Sequence, residues 1–249
     1  MRYFLKLSYC GEGFHGWQRQ PNASSVQQTI EDSLSTILQR QVLITGAGRT
    51  DTGVHAREMF AHLDLDDDID TKSLLKSANR MVGNMISLKD LVPVKDDAHA
   101  RFDALSRTYR YYISLEKNPF VYSMSHFLSK MPDIDIMNRG GQILMENDDF
   151  TSFAKLHTDN KTNICDVSEA RWELNEKENL IVFTITADRF LRNMVRAVVG
   201  TLIELGNHKY DLETFRTIIS NKNRCDAGTS MPAKGLFLEK IVYPASIFL

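Results

Sequence analysis

Apolar residues alternate at the start of the chain. Tyr3, Leu5, Leu7 and Tyr9 share one face of an extended segment, the period of a half-buried strand over residues 3–9. The period then changes: Ser24 and Ser25 precede Val26, Ile30, Leu34, Ile37 and Leu38 at helical spacing, and Ser24 with Gln27 fits a capping box. Residues 41–45 and 60–65 predict two short strands, and residues 71–82 a helix with Leu74, Leu75, Ala78 and Met81 inward. The second half repeats this grammar. Tyr109, Tyr111, Ile113 and Leu115 alternate as a strand, and residues 134–145 predict a helix. Residues 168–174 and 180–187 predict a strand pair around the polar turn 175–179. Residues 190–205 predict a helix closed by Gly206, residues 212–219 another, and residues 235–243 a last strand.

Strands and helices interleave in both halves, and several strands are close enough for tight turns. This predicts an α+β fold with a mixed, largely antiparallel sheet. No low-complexity linker or internal repeat marks a division; the boundary is expected near residues 100–107, giving an N-terminal half, 1–104, and a C-terminal half, 105–249. With 249 residues, 43% hydrophobic and 25% charged, the composition is that of a globular protein with a sizeable core. Met1 to Lys6 hold no long apolar stretch, so no signal peptide is read, and no apolar run reaches membrane-spanning length. Cys10, Cys165 and Cys225 are scattered and odd in number, which argues against a disulfide framework or a zinc knuckle. A reducing, cytoplasmic setting is the expectation.

The formal net charge of −2 counts against a nucleic-acid binder, but its distribution matters more than its sum. Five carboxylates crowd into residues 64–70, a block expected to be a solvated loop facing away from any polyanion. Gly11-Glu12-Gly13-Phe14-His15-Gly16 matches a dinucleotide fingerprint, yet Pro21 breaks any helix that Gly16 would open, so that reading fails. The same loop carries Trp17, Gln18, Arg19 and Gln20, suited to stacking and to phosphate or base-edge contacts; the plainer reading makes Trp17 a core plug. Arg189, Arg192 and Arg196 fall on one face of the predicted helix 190–205, as a guanidinium row for phosphates or as an ordinary solvated face. Arg101, Arg107 and Arg110 cluster around Tyr109 and Tyr111, a pattern that suits single-stranded RNA or an ordinary edge strand. His15, His55, His62, His99, His126, His157 and His208 show no metal-ligand spacing. Gly46-Ala47-Gly48-Arg49-Thr50-Asp51-Thr52-Gly53 sets one carboxylate, Asp51, between glycines and beside Arg49. That is ordinary turn chemistry, and also a way to display an ionised nucleophile.

Taken in order, Phe14-His15-Gly16-Trp17-Gln18-Arg19-Gln20-Pro21, Gly48-Arg49-Thr50-Asp51-Thr52-Gly53-Val54-His55-Ala56, His99-Ala100-Arg101-Phe102, Ser106-Arg107-Thr108-Tyr109-Arg110-Tyr111, Met194-Val195-Arg196 and Gly235-Leu236-Phe237-Leu238 resemble the motifs of the tRNA pseudouridine synthase A family. The resemblance covers nearly the whole chain and implies two similar α/β halves with a catalytic cleft between them. It implies isomerisation of uridine to pseudouridine in the anticodon arm of tRNA, at positions 38, 39 and 40, by a homodimer that needs no cofactor and no metal. It implies Asp51 as nucleophile, Tyr109 stacked on the target base, Arg196 paired with Asp51, Arg49 assisting entry or holding the flipped nucleotide, and Leu236 on an apolar floor. Departures stand at Cys10, where an Asp is usual, at Arg57-Glu58-Met59, and over residues 81–90, which lack an Asn-x-x-Leu-Pro stretch.

Overall fold

A computed structural model describes residues 1–66, 69–155 and 161–249. Asp67 and Asp68 of the acidic block, and His157, lie outside the described residues. In chain order the elements are β1 (Arg2–Tyr9), α1 (Val26–Leu38), β2 (Thr45–Gly46), β3 (His55–Asp64), α2 (Thr71–Met81), β4 (Ile86–Val94), β5 (Ser106–Ser114), β6 (His126–Phe127), α3 (Ile134–Met145), β7 (Val167–Asn175), β8 (Leu180–Ala187), α4 (Met194–Gly206), α5 (Leu212–Ser220) and β9 (Leu236–Val242). The fold is α+β and its strand pairing is largely antiparallel. Two compact units form, one of residues 1–105 with 237–249, the other of residues 106–236.

In the first unit β1 lies between β3 and β4, antiparallel to both, and β9 runs parallel to β3 through His55 opposite Phe237. The alternation in β1 predicted a half-buried strand. Tyr3, Leu5, Leu7 and Tyr9 are buried on that face, while Arg2, Lys6 and Ser8 on the other are only partly buried; Phe4 alone is buried there, against the rings of Tyr243 and Phe248 near the end of the chain at 5.0 and 6.3 Å. Helix α1 is capped by Ser25, which accepts from Gln28 N, and no capping box forms. The side chain of Gln27 is taken instead by Glu31 and the Ile44 carbonyl, and Ser24 bonds the Gly13 carbonyl. Residues 41–44 are not a strand. Their backbone is satisfied by α1: Ile44 N donates to Glu31 Oε1 at 3.0 Å and Val42 N to Ser35 Oγ at 2.9 Å, so only Thr45 and Gly46 join the ladder. Strand β3 begins at His55, five residues before the predicted start. In α2, capped by Asp70, Leu74 and Ala78 are buried, whereas Met81, at the last turn, is exposed and Val82 takes the inward place. Strand β4 was not predicted.

In the second unit β8 lies between β5 and β7, antiparallel to both, and α3 packs on β7 and against α4 and α5. Helix α3 has the predicted bounds, with Asp133 accepting from Asp135 N and Ile136 N. Helix α4 begins at Met194, not at residue 190 as the apolar pattern predicted, and runs through Gly206 to a cap at Asn207. Asn193, at φ 66 and ψ 0, is left-handed and stops the helix from extending backward.

Candidate active site

The first unit builds a clamped turn around Asp51. Ala47 N donates to Phe60 O at 2.8 Å on one side, and on the other Val54, His55 and Ala56 are buried as β3 begins. Between these anchors Val54 N closes a turn on Asp51 O at 3.1 Å, with Gly53 at φ 78. The expected turn chemistry is therefore present, and neighbours fix it on both flanks. Thr50 is 9% exposed; its hydroxyl lies 2.9 Å from the Tyr9 hydroxyl, and its carbonyl accepts Trp17 N at 3.2 Å. The His55 ring stacks on Phe237 at 4.5 Å, and its Nδ1 accepts Gly11 N at 3.0 Å, which puts any ring proton of neutral His55 on Nε2. Asp51 is half-buried and Arg49 exposed. The arrangement holds the backbone under Asp51 rigid while its side chain stays within reach of solvent, as a nucleophilic carboxylate requires.

The preceding loop supports this turn from below. Trp17 is 3% exposed, tilted against Tyr9 at 6.0 Å, and its Nε1 lies 2.5 Å from where a Cβ on Gly46 would sit. It is the core plug of the plainer reading and presents no open ring face for stacking on RNA. Arg19 is held in ion pairs, to the buried Glu31 at 3.4 Å and to Asp32 at 3.0 Å, while Gln18 is exposed. No helix opens at Gly16; α1 starts ten residues later, so the dinucleotide fingerprint has no helix N-terminus to serve it.

The second unit carries the aromatic and most of the basic residues. Tyr109 pairs with Ile185 in the ladder, half-buried, and Phe190 stands edge-on to its ring at 5.1 Å. Arg107, two residues back on the same face of β5, donates from Nη1 to Asp188 O at 2.7 Å. Arg110 projects from the opposite face and so does not join Tyr109. Tyr111 is fully buried with its hydroxyl donating to Pro232 O at 2.8 Å; burial raises its pKa above the ordinary phenol range, against the pull of the Arg196 charge. The row expected of Arg189, Arg192 and Arg196 does not exist, because the first two precede α4. Arg189 N is bound by Asp188 Oδ1 and Arg192 O by Lys155 N. Arg196 is in the first turn of α4. Met231 clasps it from both sides: Arg196 Nε donates to Met231 O at 2.5 Å and Met231 N to Arg196 O at 3.1 Å. Leu236 is buried just after the 3-10 turn 233–235.

Among the described residues no cluster of His, Cys, Asp or Glu could hold a metal ion, and no helix is long and apolar enough to cross a membrane. A family model described as tRNA pseudouridine synthase matches residues 145–244. The chain is 51% identical over 248 residues to a tRNA pseudouridine synthase A of Bacteroides thetaiotaomicron, covering 99% of this chain and 92% of that one. It is 49% identical over 250 residues to that of Porphyromonas gingivalis, covering 100% and 99%. At 34% it still aligns over 245 residues with that of Streptococcus agalactiae, covering 97% and 95%. The chain belongs to the tRNA pseudouridine synthase A family. Membership gives its reaction class, the isomerisation of uridine to pseudouridine.

In this tRNA pseudouridine synthase A family member, several residues that shape the site were not foreseen. Tyr9 carried a signal, since a tyrosine in a buried strand needs a partner for its hydroxyl, but nothing pointed to Thr50. Phe190, which steadies Tyr109 edge-on, falls in the predicted helix 190–205, whereas the helix that forms does not reach it. Met231 acts through its backbone, which no side-chain pattern reports.

Proposed function

We propose that this chain converts uridine to pseudouridine in the anticodon stem-loop of tRNA, at positions 38, 39 and 40, with the Asp51 carboxylate as nucleophile. The observation that carries the proposal is the clamped turn beneath Asp51, in a chain about half identical to tRNA pseudouridine synthases A over its whole length. The target uridine leaves its stack, because its C1′ and C6 are hidden while the nucleotide is paired or stacked. Tyr109 stacks on the extruded uracil, Leu236 floors the pocket it enters, and Arg49 holds the flipped nucleotide. Arg196 pairs with the Asp51 carboxylate, as the resemblance of these motifs implies. The N1–C1′ bond breaks, the uracil turns, and C5 bonds to C1′, C5 losing its hydrogen as a proton while N1 takes one up. Three routes start from the one carboxylate: attack on C1′, attack on C6, or removal of the C2′ proton to form a glycal. All three balance without an outside electron or group.

Trp17 leaves the set of RNA contacts. Gln18, Arg19, Arg107, Arg110, Arg189 and Arg192 remain as contacts to the tRNA backbone, and each neutralised phosphate steepens the salt dependence of binding by about 0.7 to 0.9 in log K per log salt. The enzyme works as a cytoplasmic homodimer, with tRNA touching both subunits; sedimentation of the free protein tests the stoichiometry. The deciding experiment is release of tritium from tRNA transcripts labelled at uridine C5. Wild type releases it and Asp51→Ala does not, while Asp51→Ala still retains tRNA on a filter. Wild-type protein that binds tRNA without releasing tritium is instead a silent tRNA-binding protein of the same fold.

A further inference from the structure

Exposed large apolar side chains concentrate on the segment that leaves β5 at Ser114. Phe120 is 94% exposed and Tyr122 66%, with Met124 and Phe127 also exposed. The segment holds a fixed shape. Asn118 Oδ1 accepts Phe120 N at 2.9 Å, Val121 O accepts both Met124 N at 3.0 Å and Ser125 Oγ at 2.8 Å, and Leu128 N returns to Ser114 O at 3.0 Å. Asn118-Pro119 sets the turn that lifts Phe120 outward. Aromatic rings left in water on an ordered support are unfavourable unless a ligand covers them.

The charges around these rings are positive. Lys117 and Lys130 flank the segment, Lys234 Nζ lies 3.4 Å over the Tyr122 ring, and Glu116 is the one acid between residues 115 and 131. His126 adds no charge near neutral pH, because burial lowers its pKa and the Lys234 ammonium lowers it further. Lys234 belongs to the turn that leads into Leu236, and Gly235 in that turn packs against Tyr111, two residues from Tyr109 on β5. The exposed rings are thus tied to the backbone that carries two residues assigned to the uridine.

We propose that residues 117–130, with Phe120 and Tyr122 as stacking faces and Lys117, Lys130 and Lys234 as phosphate partners, form a second tRNA-binding surface beside the uridine site. It rests on the function proposed above and extends it to nucleotides that do not react. A ring takes any unpaired base, because every base has a π-face, and lysines follow the backbone without reading sequence. A second copy of the chain fits this surface less well. Lysine is depleted in protein interfaces, and Lys117, Lys130 and Lys234 accompany these rings.

The test compares wild type with the pair Phe120→Ala and Tyr122→Ala, and with Phe120→Trp. KM for tritium release from a tRNA transcript, filter-binding Kd for the same transcript, and mass by sedimentation are measured. The alanine pair is expected to weaken binding roughly tenfold in both KM and Kd, the loss of about one base–aromatic stack. Phe120→Trp keeps wild-type affinity and the mass does not change. Unchanged KM and Kd overturn the proposal, and so does a change of mass that accounts for the loss of affinity. If wild type releases no tritium, the function proposed above fails while Kd still decides on the surface.

Discussion

Gly16 gives the sharpest test of how the turn beneath Asp51 is held. Its φ is +88, and a Cβ there would lie 2.4 Å from Thr50 O and 3.2 Å from the carbonyl carbon of Asp51. Gly13, in the same loop, has φ +82 but meets nothing within 4 Å. Both Gly→Ala variants therefore carry the cost of a left-handed L-residue, about 1–2 kcal/mol. Only Gly16→Ala adds a steric term, about 1–3 kcal/mol, since backbone rather than a pliable side chain must yield. At about 2–4 °C per kcal/mol for a chain of this size, Gly13→Ala should lower Tm by roughly 2–8 °C and Gly16→Ala by a further 2–12 °C.

The functional effects diverge more than the stabilities. The displaced atoms in Gly16→Ala are the peptide that links Thr50 to Asp51, and a shift of about 1 Å in a catalytic group can cost on the order of a hundredfold in rate. Tritium release at saturating tRNA, measured well below each variant's Tm, should fall by that order in Gly16→Ala and by no more than about threefold in Gly13→Ala. Equal Tm values and equal rates for the two variants would refute the view that the glycine loop positions Asp51.

Two further predictions probe the buried polar groups of each unit. His62, whose Nδ1 accepts Ala100 N at 3.1 Å, has its pKa lowered from 6.5 to about 4 by burial, then by His99 and Arg2. The unfolded chain takes up that proton first as pH falls, so the contribution of His62 to stability is flat above 6.5 and declines between 6.5 and about 4. Urea unfolding at several pH values should show a shallower decline in His62→Asn, which keeps an acceptor and loses the titration; parallel curves would contradict this. In the second unit Tyr111→Phe strands the Pro232 carbonyl and should cost about 1–3 kcal/mol in urea unfolding, with a fall in tritium release because the same segment clasps Arg196; a variant as stable and active as wild type would show the bond to be idle.

The legible parts of the fold were those where local pattern and tertiary burial agree. Helix α3 came out with its predicted bounds because its apolar spacing, its Asp133 cap and its seat on β7 all point the same way. Helix α4 did not, because Phe190 and Leu191 extend an apolar pattern that the backbone leaves at Asn193. Asparagine tolerates the left-handed region better than most residues, so a signal was present but ambiguous. Strand β4 was hidden by Asp90 and Pro93, residues that argue against a central strand and are tolerated here because β4 pairs with β1 and lies outermost in the strand order. The break in the Ser24–Gln27 capping box was decided by Ile44, seventeen residues beyond Gln27, which local reading does not reach.

At the site, Asp51 and its neighbours were visible as a motif, but the reason for the glycines before Trp17 was not. As a pattern, Gly11 to Gly16 imitates a nucleotide fingerprint; in the structure it is a receptor for the Asp51 turn. A Cβ on Gly11 would lie 2.1 Å from Val54 O, as one on Gly16 would lie 2.4 Å from Thr50 O, so the two glycines bracket the turn at its two ends. Gly11 N is bound by His55 and Trp17 N by Thr50, which fixes the spacing between those ends by hydrogen bonds from the same loop. A dinucleotide fingerprint uses glycines so that backbone can approach a pyrophosphate; here the approaching group is another stretch of the same chain. The physical need for close approach is the same in both, and only the partner some forty residues away tells them apart.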